Sequence, residues 1–138
     1  MDLDALEPAA VPFPHHDGIA TGILLSRDLI FTSKVTGTAR LLGHRMLVAG
    51  NVEPAATMIA EWRPCVVFVD LGAGDLVSPE ALLGYQKLAE PGTSFVAFGS
   101  HVDTEAMATA GAAGCNPVLP RSKFAAELPD LMKRYFGD

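Results

Sequence analysis

An aspartate closes a continuous apolar run. Cys65-Val66-Val67-Phe68-Val69 leads into Asp70, and Leu71-Gly72-Ala73-Gly74 follows as a glycine-rich turn. A short apolar run of this kind reads as a strand buried on both faces. An acid at its carboxyl end stands where open α/β sheets place their chemistry, in the crevice outside the strand ends. A carboxylate at that place is either a phosphoacceptor or a structural acid held by a cation. Other reactive residues have a plain alternative. His101 falls in the loop after an expected fourth strand, as a general base or as a solvated side chain. Cys65 opens the strand and reads as a small core residue, since no base is placed to make it a nucleophile. Gly72-Ala73-Gly74 follows the third strand and lacks the third glycine of a dinucleotide fingerprint. His15-His16-Asp17 has no spaced partners for a metal and reads as part of a solvated tail.

The elements that must position Asp70 follow a strand-then-helix rhythm. Residues 1–21 form a tail, interrupted by Pro8, Pro12, Pro14 and Gly18. From residue 22 to 138 the pattern is that of one domain. Ile23-Leu24-Leu25 is the first strand. Phe31, Val35, Ala39 and Leu42 then recur at about one helical turn, and Gly43 ends the helix. Met46–Ala49 is the second strand. Asn51 is placed to cap a helix that carries Ala55, Met58, Ile59 and Trp62 on its core face. Pro64 stops it, and the third strand runs into Asp70. Ser78-Pro79-Glu80 is a helix start with a cap, a proline in the first turn and an acid at the positive dipole end. That helix runs to about Ala89 and breaks at Pro91-Gly92. Phe95–Phe98 is the fourth strand, Thr104–Ala113 a helix of small residues, and Pro117–Pro120 a fifth strand that two prolines confine to an edge. One last helix carries Phe124, Leu128, Leu131, Met132 and Tyr135. Alternation of this kind means a parallel sheet covered by helices on both faces.

Composition narrows the function. The 138 residues suffice for one domain with a real core, and 49% hydrophobic with 19% charged residues is a globular balance. The net charge of −6 without a basic cluster argues against direct nucleic-acid binding, which relies on Lys and Arg meeting phosphates. No apolar stretch approaches the roughly 20 residues of a membrane span. Met1–Asp17 carries Asp2, Asp4 and Glu7 and no basic residue, unlike a signal peptide. Two cysteines, Cys65 and Cys115, make no disulfide framework, so a reducing cytoplasm is the simplest compartment.

Three segments, in order, carry a resemblance. They are Leu24-Leu25-Ser26-Arg27-Asp28, Val67-Phe68-Val69-Asp70 and Ala110-Gly111-Ala112-Ala113-Gly114, followed by Leu119-Pro120-Arg121-Ser122-Lys123-Phe124. Their spacing resembles the receiver domain of bacterial response regulators, with the flavodoxin-like fold of the chemotaxis regulator, over residues 22–138. The resemblance implies a five-stranded parallel sheet in order 2-1-3-4-5, aspartyl phosphorylation, Mg²⁺ and output by protein contacts. The match is incomplete at the positions that matter. The phosphoacceptor position falls on Asp70. Of the paired acids after strand one, the second falls on Asp28 and the first is replaced by Arg27. The hydroxyl residue of strand four falls on Gly99 and the switching aromatic of strand five on Val118. The lysine position falls on Arg121, with Ser122 in place of the proline after it. Gly72, Gly74 and Asp75 stand where the family has a proline and an Asp-Gly pair.

Such a pocket has two acids, Asp28 and Asp70, against two guanidinium groups, Arg27 and Arg121. Mg²⁺ needs two or three hard oxygen ligands and an excess of negative charge. Arg27 or Arg121 is therefore expected within hydrogen-bond reach of Asp70 or Asp28, with Arg27 able to take the metal's place as counter-ion by bidentate bonding to a carboxylate. Without metal clamping and the strand-four hydroxyl, phosphoryl transfer should fall by several powers of ten. No cofactor is expected, and Asp28 and Asp70 are a vestige of the magnesium site. The expectation is a pseudo-receiver: not an enzyme, signalling by protein contacts without phosphorylation. Two alternatives are a divergent but working Asp70 phosphoreceiver and a small flavodoxin-fold nucleotide binder or enzyme. Partners are expected at the face of the fourth helix, fifth strand and fifth helix, either a protein or a second copy, through Ala106, Met107, Ala110, Phe124 and Tyr135.

Overall fold

The computed structural model describes residues 18–137. The strands are β1 (Thr21–Leu25), β2 (Arg45–Ala49), β3 (Val66–Asp70), β4 (Ser94–Gly99) and β5 (Val118–Pro120). All pair in parallel, in the order β2-β1-β3-β4-β5. The helices are α1 (Leu29–Leu41), α2 (Val52–Trp62), α3 (Pro79–Leu88), α4 (Thr104–Ala112), α5 (Arg121–Ala126) and α6 (Leu128–Phe136), with a 3₁₀ turn over Gly74–Val77 before α3. This is the flavodoxin-like arrangement expected from the sequence. Among the described residues no helix is long and apolar enough to cross a membrane.

Strand alternation sorts the core into two layers. Ile23, Leu25, Val67, Val69 and Ala97 pack toward α2, α3 and α4 with Ile59, Leu82 and Tyr85. Leu24, Phe68, Val96 and Phe98 pack toward α1, α5 and α6 with Val35, Phe124 and Met132. In the second layer Phe124 stacks on Phe98 at 4.2 Å between centroids and meets Phe68 edge-on at 5.1 Å. Helix starts are set locally. Asp28 caps α1, its Oδ1 accepting the Phe31 amide at 3.0 Å, Ser78 caps α3 through the Ala81 amide at 3.1 Å, and Asp103 caps α4 through the Ala106 amide at 3.1 Å. Asn51 stands at the start of α2 without a side-chain cap bond. Gly43, at φ +79°, turns the chain out of α1 into β2, a conformation that favours glycine.

Several expectations are corrected. The last helix is two helices, α5 and α6, broken at Glu127 with Pro129 in the first turn of α6, where its missing N–H costs nothing. Trp62 is half-buried rather than a core anchor, and the Arg45 guanidinium lies 4.9 Å from its ring centre. Phe124 and Ala110 are buried in the core, so neither belongs to an exposed contact face. β1 begins at Thr21. His15-His16-Asp17 and most of the 1–21 segment lie outside the described residues.

Candidate functional site

Parallel pairing places the site. Leu25 is the partner of Val69 across β1 and β3, so the next residues, Ser26 and Asp70, leave the sheet side by side. Both are buried. Ser26 Oγ donates to Asp70 Oδ2 at 2.7 Å. The other oxygen, Oδ1, accepts from Arg121 Nη2 at 2.8 Å and from the Gly72 amide at 2.9 Å. A carboxylate that is 2% exposed thus has one cation and two neutral donors, which is how a buried charge is sustained. Glycine at 72 leaves room for this closeness. A Cβ there would stand 3.2 Å from both Arg121 Nη2 and Asp70 Oδ1. Arg121, the first residue of α5, reaches the acid across the end of β4, with its guanidinium carbon 5.2 Å from the Phe98 ring and 5.3 Å from the Phe31 ring. Its Nη1 is buried without a hydrogen-bond acceptor, and these two π faces supply its electrostatic partner.

Arg27 is placed elsewhere than the sequence reading put it. It does not pair with Asp70 or Asp28. Nε donates to the Gly50 carbonyl at 2.8 Å and Nη2 meets Asp75 Oδ1 at 3.0 Å. The side chain ties the β1–α1 loop to the loop after β2 and to the 3₁₀ turn. Asp28 is also outside the pocket: it is exposed and its carboxylate caps α1. Ser26 is the residue that sequence reasoning missed. Its Oγ also accepts the Asp28 amide at 3.1 Å, so it links the cap of α1 to the buried acid. The available signal was its place directly after β1, as Asp70 stands one residue after Val69, the partner of Leu25.

The remaining positions close the space around the acid. A Cβ at Gly99 would lie 3.1 Å from Leu71 Cβ and 3.2 Å from Leu71 Cδ1, so Leu71 crowds the point where a side chain would start. Val118 is half-buried on β5, opposite Ala97 of β4 and two residues before Pro120, the partner of Gly99, with a Cγ2 4.0 Å from where a Cβ on Gly111 would stand. His101 is exposed in the β4–α4 loop and makes no ion pair among the described residues. The 3₁₀ turn is held by Tyr85, whose buried hydroxyl donates to the Leu76 carbonyl at 2.7 Å, and burial raises the Tyr85 pKa. Burial also pushes the Cys65 and Cys115 thiols up to about 11, which leaves both un-ionised and unsuited to attack.

The donor set does not match a divalent cation. Among the described residues no three His, Cys, Asp or Glu side chains converge. At the strand ends the two oxygens of Asp70 already hold Arg121, Gly72 and Ser26, and the Asp28 carboxylate caps α1. Mg²⁺ is held by more than one hard oxygen and by a surplus of negative charge.

No protein-family model matches the sequence and no curated relative is found. Solved structures do match in fold. One is a response regulator from Thermotoga maritima, at 18% identity and a TM-score of 0.71 over 87% of this chain and 99% of that one. A second is a CheY-like protein, tadZ, from Pseudomonas aeruginosa, at 23% identity and 0.68 over 84% and 98%. A third is the receiver domain of a Pseudomonas aeruginosa sensor histidine kinase with magnesium coordinated in its active-site cleft, at 18% identity and 0.71 over 87% and 99%.

Proposed function

We propose that this chain is a receiver-type signalling module that acts through protein contacts, without phosphorylation of Asp70 and without Mg²⁺. The observation that carries this reading is the Arg121–Asp70 pair, which puts a fixed guanidinium on the carboxylate oxygen that an incoming phosphoryl group or cation would need. Attack by that oxygen would break the pair, and the Asp28 carboxylate is used to cap α1. Gly99 carries no hydroxyl, so the side-chain donor for a phosphoryl oxygen at that position is missing as well. The test is incubation with acetyl phosphate and Mg²⁺, followed by intact-mass measurement. No added mass is expected. A mass increase that disappears in Asp70→Asn would establish the second reading, a divergent but working phosphoreceiver, which is favoured by one feature, the survival of the acid at the end of β3.

Output belongs to the same proposal. A Saccharomyces cerevisiae response-regulator receiver domain, 16% identical with a TM-score of 0.69, was crystallised with a histidine phosphotransfer protein, which supports a protein partner here. We place that partner, or a second copy, at the α4, β5 and α5–α6 face, where Ala106, Met107 and Tyr135 are partly exposed. The face should stay in one state. Gly99 and Val118 carry neither the hydroxyl nor the ring that would move together, and a pocket influences a surface only through two populated conformations with different affinities. Amide NMR spectra of wild type and Asp70→Asn should differ only near residue 70. Widespread changes across α4 and α5 would refute a fixed face.

A further inference from the structure

Arg121 also borders an open surface hollow of ≈ 560 Å³ between α1, the β4–α4 loop and α5, which Asp70 does not line. Phe31, Lys34, His101, Arg121, Ser122 and Ala125 line it. No acidic residue lines it, in a chain whose net charge is −6. Three nitrogen-bearing side chains from three separate elements therefore converge on one space. Arg121 adds its charge to the wall while its Nη2 holds Asp70. Among the described residues Lys34 and His101 have no acidic partner. Lys34 therefore offers a charge that no acid answers, and an anionic ligand would pair with it. The rest of the wall is of a different kind. Phe31 and Ala125 contribute carbon to the lining, and Ser100 and Ser122 bring hydroxyl groups. A small cavity with an apolar wall and a few convergent polar groups is the usual form of a ligand site, and its volume lies in the ordinary range.

We propose that this cavity binds a small aromatic phosphate. The phosphate would lie against Lys34, His101 and the serine hydroxyls, and the ring against Phe31 and Ala125. A phosphate is preferred to a carboxylate because its oxygens point in several directions, toward donors that come from α1, the β4–α4 loop and α5. The inference goes beyond the pseudo-receiver reading and does not depend on the chemistry of Asp70, since Asp70 does not line the cavity.

The test is an amide NMR titration of the whole chain with phenyl phosphate, and in parallel with inorganic phosphate. Saturable shifts at Lys34, Ser100, His101 and Ser122 are expected, with tighter binding of phenyl phosphate than of inorganic phosphate. Lys34→Glu should weaken phenyl phosphate by about tenfold or more, because a charge-assisted contact is replaced by repulsion. Ala125→Phe should weaken it by filling the cavity. Lys34 is exposed, so the first variant keeps the fold even if the second does not. Three results would each overturn the proposal: no saturable shift, equal affinity for the two probes, or binding of phenyl phosphate that survives Lys34→Glu unchanged.

Discussion

Two arginines flank the strand ends, and burial separates their roles. Arg121 reaches a carboxylate whose side chain is 4% exposed, whereas Arg27 meets Asp75 with side chains that are 43% and 79% exposed. A surface pair is screened by water and is worth roughly 0–1 kcal/mol. Removing one partner of a buried carboxylate leaves a charge with too few donors. Arg121→Ala should therefore destabilise by about 1–3 kcal/mol and Arg27→Ala by less than about 1 kcal/mol. Denaturant unfolding of the two variants checks the order, and Asp70→Asn combined with Arg121→Ala should recover part of the loss. The thiols make a second prediction. Burial raises the Cys65 and Cys115 pKa from 9.0 to about 11, so the folded state holds these protons more tightly than the unfolded chain. Their contribution is fully present below pH 9 and is lost as pH rises toward about 11. Stability measured across that window should fall, and the fall should shrink in Cys115→Ala.

At the scale of elements, β4 and the turn after β3 are fitted to each other through Gly99 and Leu71. Gly99→Thr would push a branched side chain into Leu71 and should cost about 1–3 kcal/mol. Leu71→Ala in the same chain should relieve the clash. Thermal unfolding of the single and double variants decides the point, and equal losses in both would mean that Leu71 is not the obstacle. The same elements divide what the sequence disclosed from what it hid. Strands and most helices were legible because apolar runs such as Cys65–Val69 and the Ser78-Pro79-Glu80 start carry their signal locally. The break between α5 and α6 was hidden because Pro129 can begin a helix as well as end one. The pocket was half legible. Asp70 and Arg121 come together through the order of the strands, which the rhythm implied. Ser26 entered through a register of one residue, and Asp28 left because capping α1 used its carboxylate. A pairing of Arg27 with Asp75 joins loops whose paths are set by packing, and no periodicity records those.

Across the whole molecule the chemistry gathers at one pole of the sheet, where Ser26, Asp70, Gly72 and Arg121 meet. The opposite pole is closed by the last helix. A Cβ on Gly22 would lie 2.7 Å from Phe136 Cζ, and the Phe136 ring stacks on His44 at 4.3 Å. The beginning of β1 and the end of α6 are therefore neighbours. A circular permutant follows as the last prediction. Residues 18 and 137 are joined by a short Gly/Ser linker, and the chain is opened at the exposed Pro91–Gly92 turn. It should keep the amide NMR pattern of the parent outside the two altered loops, and a collapsed spectrum would show that the order of synthesis matters to the fold. A unit whose entry and exit lie side by side can also be spliced into a surface loop of a host protein, occupying no more of that loop than a hairpin would and leaving its reactive pole turned outward.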